Sequence, residues 1–185
     1  MAVTPSNSLP GGSLLPDFEL LDVVQDRRVR ALDVVGARGT LVMFICNHCP
    51  FVVHIRSELV RVAHEALALG VGVVAINANS LRTHPQDGPG PMRALALAEQ
   101  WRFPFLFDAT QDVARAFDAA CTPDLYLFDA ARRLAYHGQF DDSRPHNGKP
   151  VTGRDLRAAL AAVVEGKPVA AQQTPSVGCN IKWES

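Results

Sequence analysis

Thr40-Leu41-Val42-Met43-Phe44-Ile45 runs into Cys46-Asn47-His48-Cys49-Pro50, and that joint decides the fold. The apolar run reads as a central strand covered on both faces. Behind it, over residues 51–69, Val52, Ile55, Leu59, Val62, Ala63, Ala66 and Leu69 recur at three- and four-residue spacing. That is the period of a helix with one buried face, and Gly70 is a natural stop. Cys46-x-x-Cys49 therefore lies where a buried strand meets a helix N-terminus. Two cysteines three apart on one face are close enough for a disulfide. The unpaired N–H groups and positive dipole end favour thiolate, the form that attacks disulfides. On this reading Cys46, at the cap, is the exposed attacking sulfur, and Cys49, one turn in, is the shielded resolving one.

The rest of the chain extends the pattern outward. Residues 1–15 read as a flexible lead-in, and residues 18–23 and 28–32 as two short strands forming an N-terminal β-hairpin. Residues 71–76 are a second buried strand, followed by a Pro/Gly-rich loop over 80–91 and a helix over 92–101. Residues 103–107 read as strand and 110–117 as a short helix capped by Thr110 or Asp108. Residues 125–128 and 133–136 form a hairpin, and 154–164 is a last amphipathic helix, opened by Thr152 or Gly153. The tail, 169–185, has no period. Strands alternating with helices imply an α/β fold, a central mixed β-sheet flanked by helices. The domain is taken as residues 16–168.

Composition narrows the function. A formal net charge of −1 with no basic block excludes nucleic acid and a membrane surface as expected partners. The N-terminus lacks the charged and apolar regions of a signal peptide, and no stretch approaches the ~18 apolar residues of a membrane span. A cytoplasmic location is expected. There a cysteine pair is more often catalytic or metal-binding than a structural staple. A structural zinc site would need a second Cys/His pair at similar spacing; none is present, so no metal and no cofactor are expected.

Other residues join the pair. His48 lies between the cysteines and would stabilise the Cys46 thiolate, unless it is only a solvated helix-start residue. Cys121-Thr122-Pro123-Asp124 leads into the strand at 125. A proline at a strand mouth is ordinarily trans; in the cis form it would set the Thr122 backbone beside the cysteines, where an extended substrate could pair with it. Cys121 is either a small buried side chain or a third participant in exchange. Cys179 is assigned a structural role in the tail, with a disulfide partnership as the alternative.

Cys-x-x-Cys after a central strand and Thr-Pro before a later one together resemble the thioredoxin fold. Phe103-Pro104-Phe105-Leu106-Phe107-Asp108, Cys121-Thr122-Pro123-Asp124, Tyr136-His137-Gly138-Gln139-Phe140-Asp141-Asp142 and Gly178-Cys179-Asn180-Ile181-Lys182-Trp183 narrow the likeness further. The set is similar to bacterial peroxiredoxin-like proteins of the AhpC/TSA redoxin group, over residues 16–183. The resemblance implies a cis Pro123, a Cys46/Cys49 redox pair and a tail folded back on the domain. Two departures stand out. Peroxiredoxins carry Pro-x-x-x-Thr-x-x-Cys; aligned on Cys46 those positions hold Gly39 and Met43, and aligned on Cys49 they hold Val42 and Cys46. Thioredoxins also place a buried Asp on the strand before the motif, and residues 40–45 contain no carboxylate.

Three activities follow as expectations. The first is a thiol–disulfide oxidoreductase, monomeric or homodimeric, acting on a disulfide-containing protein with a thiol reductant. The second is a thiol peroxidase, an antioxidant activity with one cysteine passing through sulfenic acid. The third is a copper-binding thioredoxin-fold chaperone holding Cu(I) on Cys46, Cys49 and His137.

Overall fold

The computed structural model describes residues 3–184; residues 1, 2 and 185, parts of the expected lead-in and tail, lie outside it. Ten strands and four helices follow in the order β1 (Thr4–Pro5), β2 (Glu19–Asp22), β3 (Arg27–Arg30), β4 (Gly39–Phe44), α1 (Pro50–Ala68), β5 (Val71–Asn77), α2 (Pro89–Ala98), β6 (Phe105–Phe107), α3 (Asp112–Ala116), β7 (Cys121–Thr122), β8 (Asp124–Asp129), β9 (Leu134–His137), α4 (Arg154–Val164) and β10 (Val177–Asn180). Seven strands form one sheet in the order β3-β2-β6-β5-β4-β8-β9, and β1-β10-β7 form a second, small one. The main sheet is mixed: β4 runs parallel to β5 and antiparallel to β8. Both predicted hairpins are present, β2–β3 and β8–β9.

Every residue of β4 is buried. Because side chains alternate across a strand, Leu41 and Met43 enter one apolar layer while Val42 and Phe44 enter the other. The first layer also takes Ile55, Leu59 and Val62 of α1 and Leu156 and Leu160 of α4. The second gathers Tyr126 and Phe128 of β8 around Phe117, whose ring meets that of Tyr126 edge-on at 5.3 Å. Each large apolar side chain buried this way contributes about 1.5–3 kcal/mol. The strand that carries the cysteine motif is thus held from both sides.

Helix α1 buries the stripe expected of it and stops at Leu69, with Gly70 at φ 82, the left-handed turn that glycine supplies without strain. Its start differs from expectation: the helix opens at Pro50 with Cys49 as its N-cap, so Cys46 lies one turn upstream of the cap. Pro50 causes this, since its missing N–H and fixed φ suit the first helical position. Helix α2 begins earlier than expected, at Pro89. At α3 the N-cap is Gln111 rather than the expected Thr110 or Asp108, although Asp108 Oδ2 accepts from the Ala114 N–H at 2.8 Å. The lead-in is hydrogen-bonded to the body: Thr4 stands opposite Gly178, Leu14 bridges Arg133, and Ser6 N donates to Ser176 O at 2.8 Å. The tail, which shows no period, supplies β10.

Candidate active site

The loop from β4 to α1 brings Cys46 and Cys49 against the β7–β8 junction, where the Thr122–Pro123 peptide is cis. Thr122 serves both sulfurs. Its Oγ1 lies 3.6 Å from Cys46 Sγ, and its carbonyl oxygen lies 3.1 Å from Cys49 Sγ, a contact the thiol makes as donor. The two cysteine side chains also hydrogen-bond to each other.

Neither sulfur is exposed. Cys46 is 2% accessible and Cys49 0%, which corrects the expectation of an exposed leading cysteine. The reason is the position of the cap: with Cys49 at the helix end, Cys46 belongs to the buried turn that leaves β4. Its acidity is reversed as well. The Cys49 sulfur is lowered to about 4, first by the hydrogen bond from Cys46 and further by Thr122, Cys179 and the Val52 backbone, against the cost of burial. Cys46 is raised well above the ordinary thiol, by giving that hydrogen bond, by burial and by the charge of Asp87. Of the two, Cys49 is the one lowered and Cys46 the one raised.

His48 lies within hydrogen-bond reach of Cys46, but its shorter contact is to Asp87. Its Nδ1 donates to Asp87 Oδ2 at 2.6 Å and lies 3.8 Å from Cys46 Sγ. One N–H serves one strong acceptor, and the anion paired with the imidazole works against a second anion at Cys46. Asp87, fully buried, also accepts from Asn47 N at 3.0 Å and Asn79 Nδ2 at 2.9 Å. His84 stacks on His48 with ring centroids 4.6 Å apart. Asp87 and Asn79 are neighbours of the cysteine motif that the sequence did not reveal. They come from the Pro/Gly-rich loop and the segment just after β5, with no motif to mark them.

Thr122 pairs with the chain itself: across the small sheet it stands opposite Cys179, and Ile181 N donates to Ala120 O at 3.0 Å. The backbone edge expected to dock a substrate is occupied by β10. Cys121 points its thiol at Pro123 O, 3.6 Å away, and burial, followed by the charge of Asp124, raises it far above the ordinary thiol. Cys179, opposite Thr122, shares a buried cluster with Cys46 and Cys49 and helps to lower Cys49.

Among the described residues, Cys46, His48 and Asp87 form the one group of metal-ligating atoms lying within 4.8 Å of one another. His137 is not part of it. Its Nε2 is held by Asp124 Oδ1 at 2.8 Å and its ring stacks on Tyr126, so the expected Cu(I) trio of Cys46, Cys49 and His137 does not assemble. No helix among the described residues is long and apolar enough to cross a membrane.

A Cys-x-x-Cys ahead of the first long helix and a cis-proline ahead of β8, on a mixed sheet with helices on both faces, define a protein of thioredoxin-like fold with a candidate dithiol centre. The chain belongs to the AhpC/TSA family, which it matches over residues 12–137. It is 50% identical, with a TM-score of 0.97, to an uncharacterized conserved protein from Geobacillus kaustophilus, covering 100% of this chain and 97% of that one. A hypothetical protein from Sinorhizobium meliloti 1021 is 48% identical with a TM-score of 0.95, over 98% and 99% of the two chains. More distant likenesses concern the fold: a putative thiol:disulfide interchange protein DsbE from Chlorobium tepidum (21% identity, TM-score 0.63, 85% and 99% covered) and peroxidoxin BcpB from Mycobacterium tuberculosis (16%, 0.61, 86% and 98%). No curated protein matches the sequence.

Proposed function

We propose that the protein is a thiol–disulfide oxidoreductase whose working couple is Cys46 and Cys49. The observation that carries this is the convergence of both sulfurs on Thr122, 3.6 Å from its Oγ1 and 3.1 Å from its carbonyl oxygen, beside the cis Pro123. The geometry also supplies the proton transfer for which the β4 strand has no carboxylate. Cys46 passes its proton along the hydrogen bond to Cys49, and the Cys49 S–H then finds Thr122 O at 3.1 Å. The freed Cys46 thiolate attacks a substrate disulfide and forms a mixed disulfide, and one substrate thiolate leaves. Cys49 gives up its proton, attacks Cys46 Sγ and releases the second substrate thiol. The substrate gains two electrons, the pair closes as Cys46–Cys49, and a thiol reductant reopens it.

Substrate approaches past Pro123 over a small depression lined by Phe51, Ile55, Phe140 and Val177 together with Gln139 and Arg144. Burial of both sulfurs requires the His48 loop or β10 to shift before a protein disulfide can reach them. A redox titration against glutathione with mass mapping tests the proposal. A reversible two-electron couple between Cys46 and Cys49, with mixed disulfides at Cys46 accumulating in Cys49→Ser, is the expected outcome. Oxidation that leaves both cysteines free to alkylation overturns it.

The low position of Cys49 favours a second reading, thiol peroxidase. Hydrogen peroxide is small enough to reach a buried thiolate. Cys49 would become the sulfenic acid with release of water, and Cys46 would condense with it, releasing a second. Peroxide consumption that survives in Cys46→Ser for a single turnover and vanishes in Cys49→Ser would select this reading.

A further inference from the structure

Strand β10 crosses the site at backbone distance. A Cβ on Gly178 would stand 1.9 Å from Thr122 O and 3.2 Å from Pro123 Cδ, so only glycine lets the tail lie this close to the cis peptide. The strand is fixed at both ends: Ser176 Oγ donates to Gly138 O at 2.9 Å, and Lys182 N donates to Asn79 Oδ1 at 2.9 Å. Its position, antiparallel to the residue ahead of the cis-proline, is the one an extended substrate would take by strand addition. It also brings its own thiol, Cys179, into the buried cluster that holds Cys46 and Cys49.

We propose that Cys179 is a third redox residue of the site: Cys49 forms a disulfide with either Cys46 or Cys179, and the second arrangement ties the C-terminal strand covalently over the centre. This rests on the Cys46/Cys49 couple proposed above. Cys179 stands opposite Thr122, whose side chain and carbonyl meet Cys46 and Cys49, and all three cysteines belong to one buried cluster. Starting from the Cys46–Cys49 disulfide, the Cys179 thiolate attacks Cys49 Sγ. The Cys49–Cys179 bond forms, the Cys46–Cys49 bond breaks, and Cys46 leaves as a thiolate that takes up the proton Cys179 gave away. Nothing is oxidised or reduced overall.

Burial, and after it the hydrogen bond and charge of Cys49, raise the Cys179 thiol to about 12 in the reduced protein. The contributions of Cys49 lapse once its sulfur is in a disulfide, so Cys179 ionises more readily in the oxidised protein, where the exchange takes place. The product is a tethered tail beside a regenerated Cys46 thiol, ready for a second oxidant.

The experiment oxidises the full chain with glutathione disulfide, alkylates free thiols under denaturing conditions and maps disulfides by mass. Wild type is expected to yield both Cys46–Cys49 and Cys49–Cys179. Cys46→Ser should yield Cys49–Cys179 in most molecules, and Cys179→Ser only Cys46–Cys49. Cys179 alkylated in every oxidised molecule of both wild type and Cys46→Ser overturns the inference, and the wild-type arm stands even if a variant misfolds. Absence of Cys46–Cys49 in both wild type and Cys179→Ser would instead overturn the couple itself.

Discussion

Cys46 is faced by a buried carboxylate with its amide and imidazole partners, whereas Cys49, in the same motif, is faced by a helix terminus and two thiols. The Asp87 side withholds charge from its sulfur; the helix side invites it. Two cysteines three residues apart are thereby made chemically unequal by elements that come from distant parts of the chain. The sequence, which set the helix start at Cys46 rather than Cys49, placed the favoured thiolate there instead.

The largest expected effect comes from the helix side. Ultraviolet absorbance of the reduced protein should show one thiolate titrating near 4, and Cys49→Ser should abolish that step. Persistence of the step in Cys49→Ser, with its loss in Cys46→Ser, would invert the comparison. Next comes the Asp87 side. Asp87→Asn removes the charge facing Cys46 and weakens its hydrogen bonds to buried donors, so urea denaturation should register a loss of about 1–3 kcal/mol. The same variant should lower the second thiol titration, because a source of repulsion at Cys46 is gone; an unchanged second step would show that Asp87 does not set Cys46.

Gly178→Ala probes the strap between the two sides. Overpacking against Thr122 should cost about 1–3 kcal/mol. If the strain of seating the strap is about 1.4 kcal/mol, its open population grows about tenfold, and alkylation of Cys46 in the native protein speeds up by a similar factor. Unchanged alkylation would mean that β10 does not guard the sulfur.

A fourth test follows the sign of the shifts. Cys49 is ionised in the folded chain from about 4, against an ordinary thiol value of 9.0, so between those values the unfolded state binds the extra proton. Stability from this group is complete above 9.0 and is lost as pH falls toward 4. Cys46, raised instead, acts in the opposite sense and removes stability as pH climbs past the ordinary thiol range. The urea midpoint of Cys49→Ser should accordingly vary less over the acid-to-neutral window than that of wild type. The smallest effect is expected from His48→Ala, which should leave the acid thiolate step nearly in place because its Nδ1 proton belongs to Asp87. A large upward move would restore His48 as a tuner of the pair.

What could be read from the chain follows the range of the forces involved. β4, α1 and α4 were legible because alternation and helical period record burial residue by residue. Helix α2 was misplaced because Pro89 and Pro91 look like loop residues, yet both fit the first turn, where no N–H is needed. β7 and β10 left no periodic signal, and only the family resemblance set the tail against the domain. They are two and four residues long, and their partners are set by contacts across the fold. The cysteine motif announced its chemistry, but the division of labour within it depends on Asp87 and Cys179, and neither lies near it in sequence.

The pairing of β1 with β10 joins the two extremes of the chain, and the Ser6–Ser176 bond beside it spans 170 residues. Loop closure over such a span is entropically late, so the body of the sheet forms before the ends meet. During assembly the sulfurs then pass through a stage in which they are open to any oxidant. Hydrogen exchange should find the amides of β10 unlocking before those of β4, the first part of the native molecule to let go.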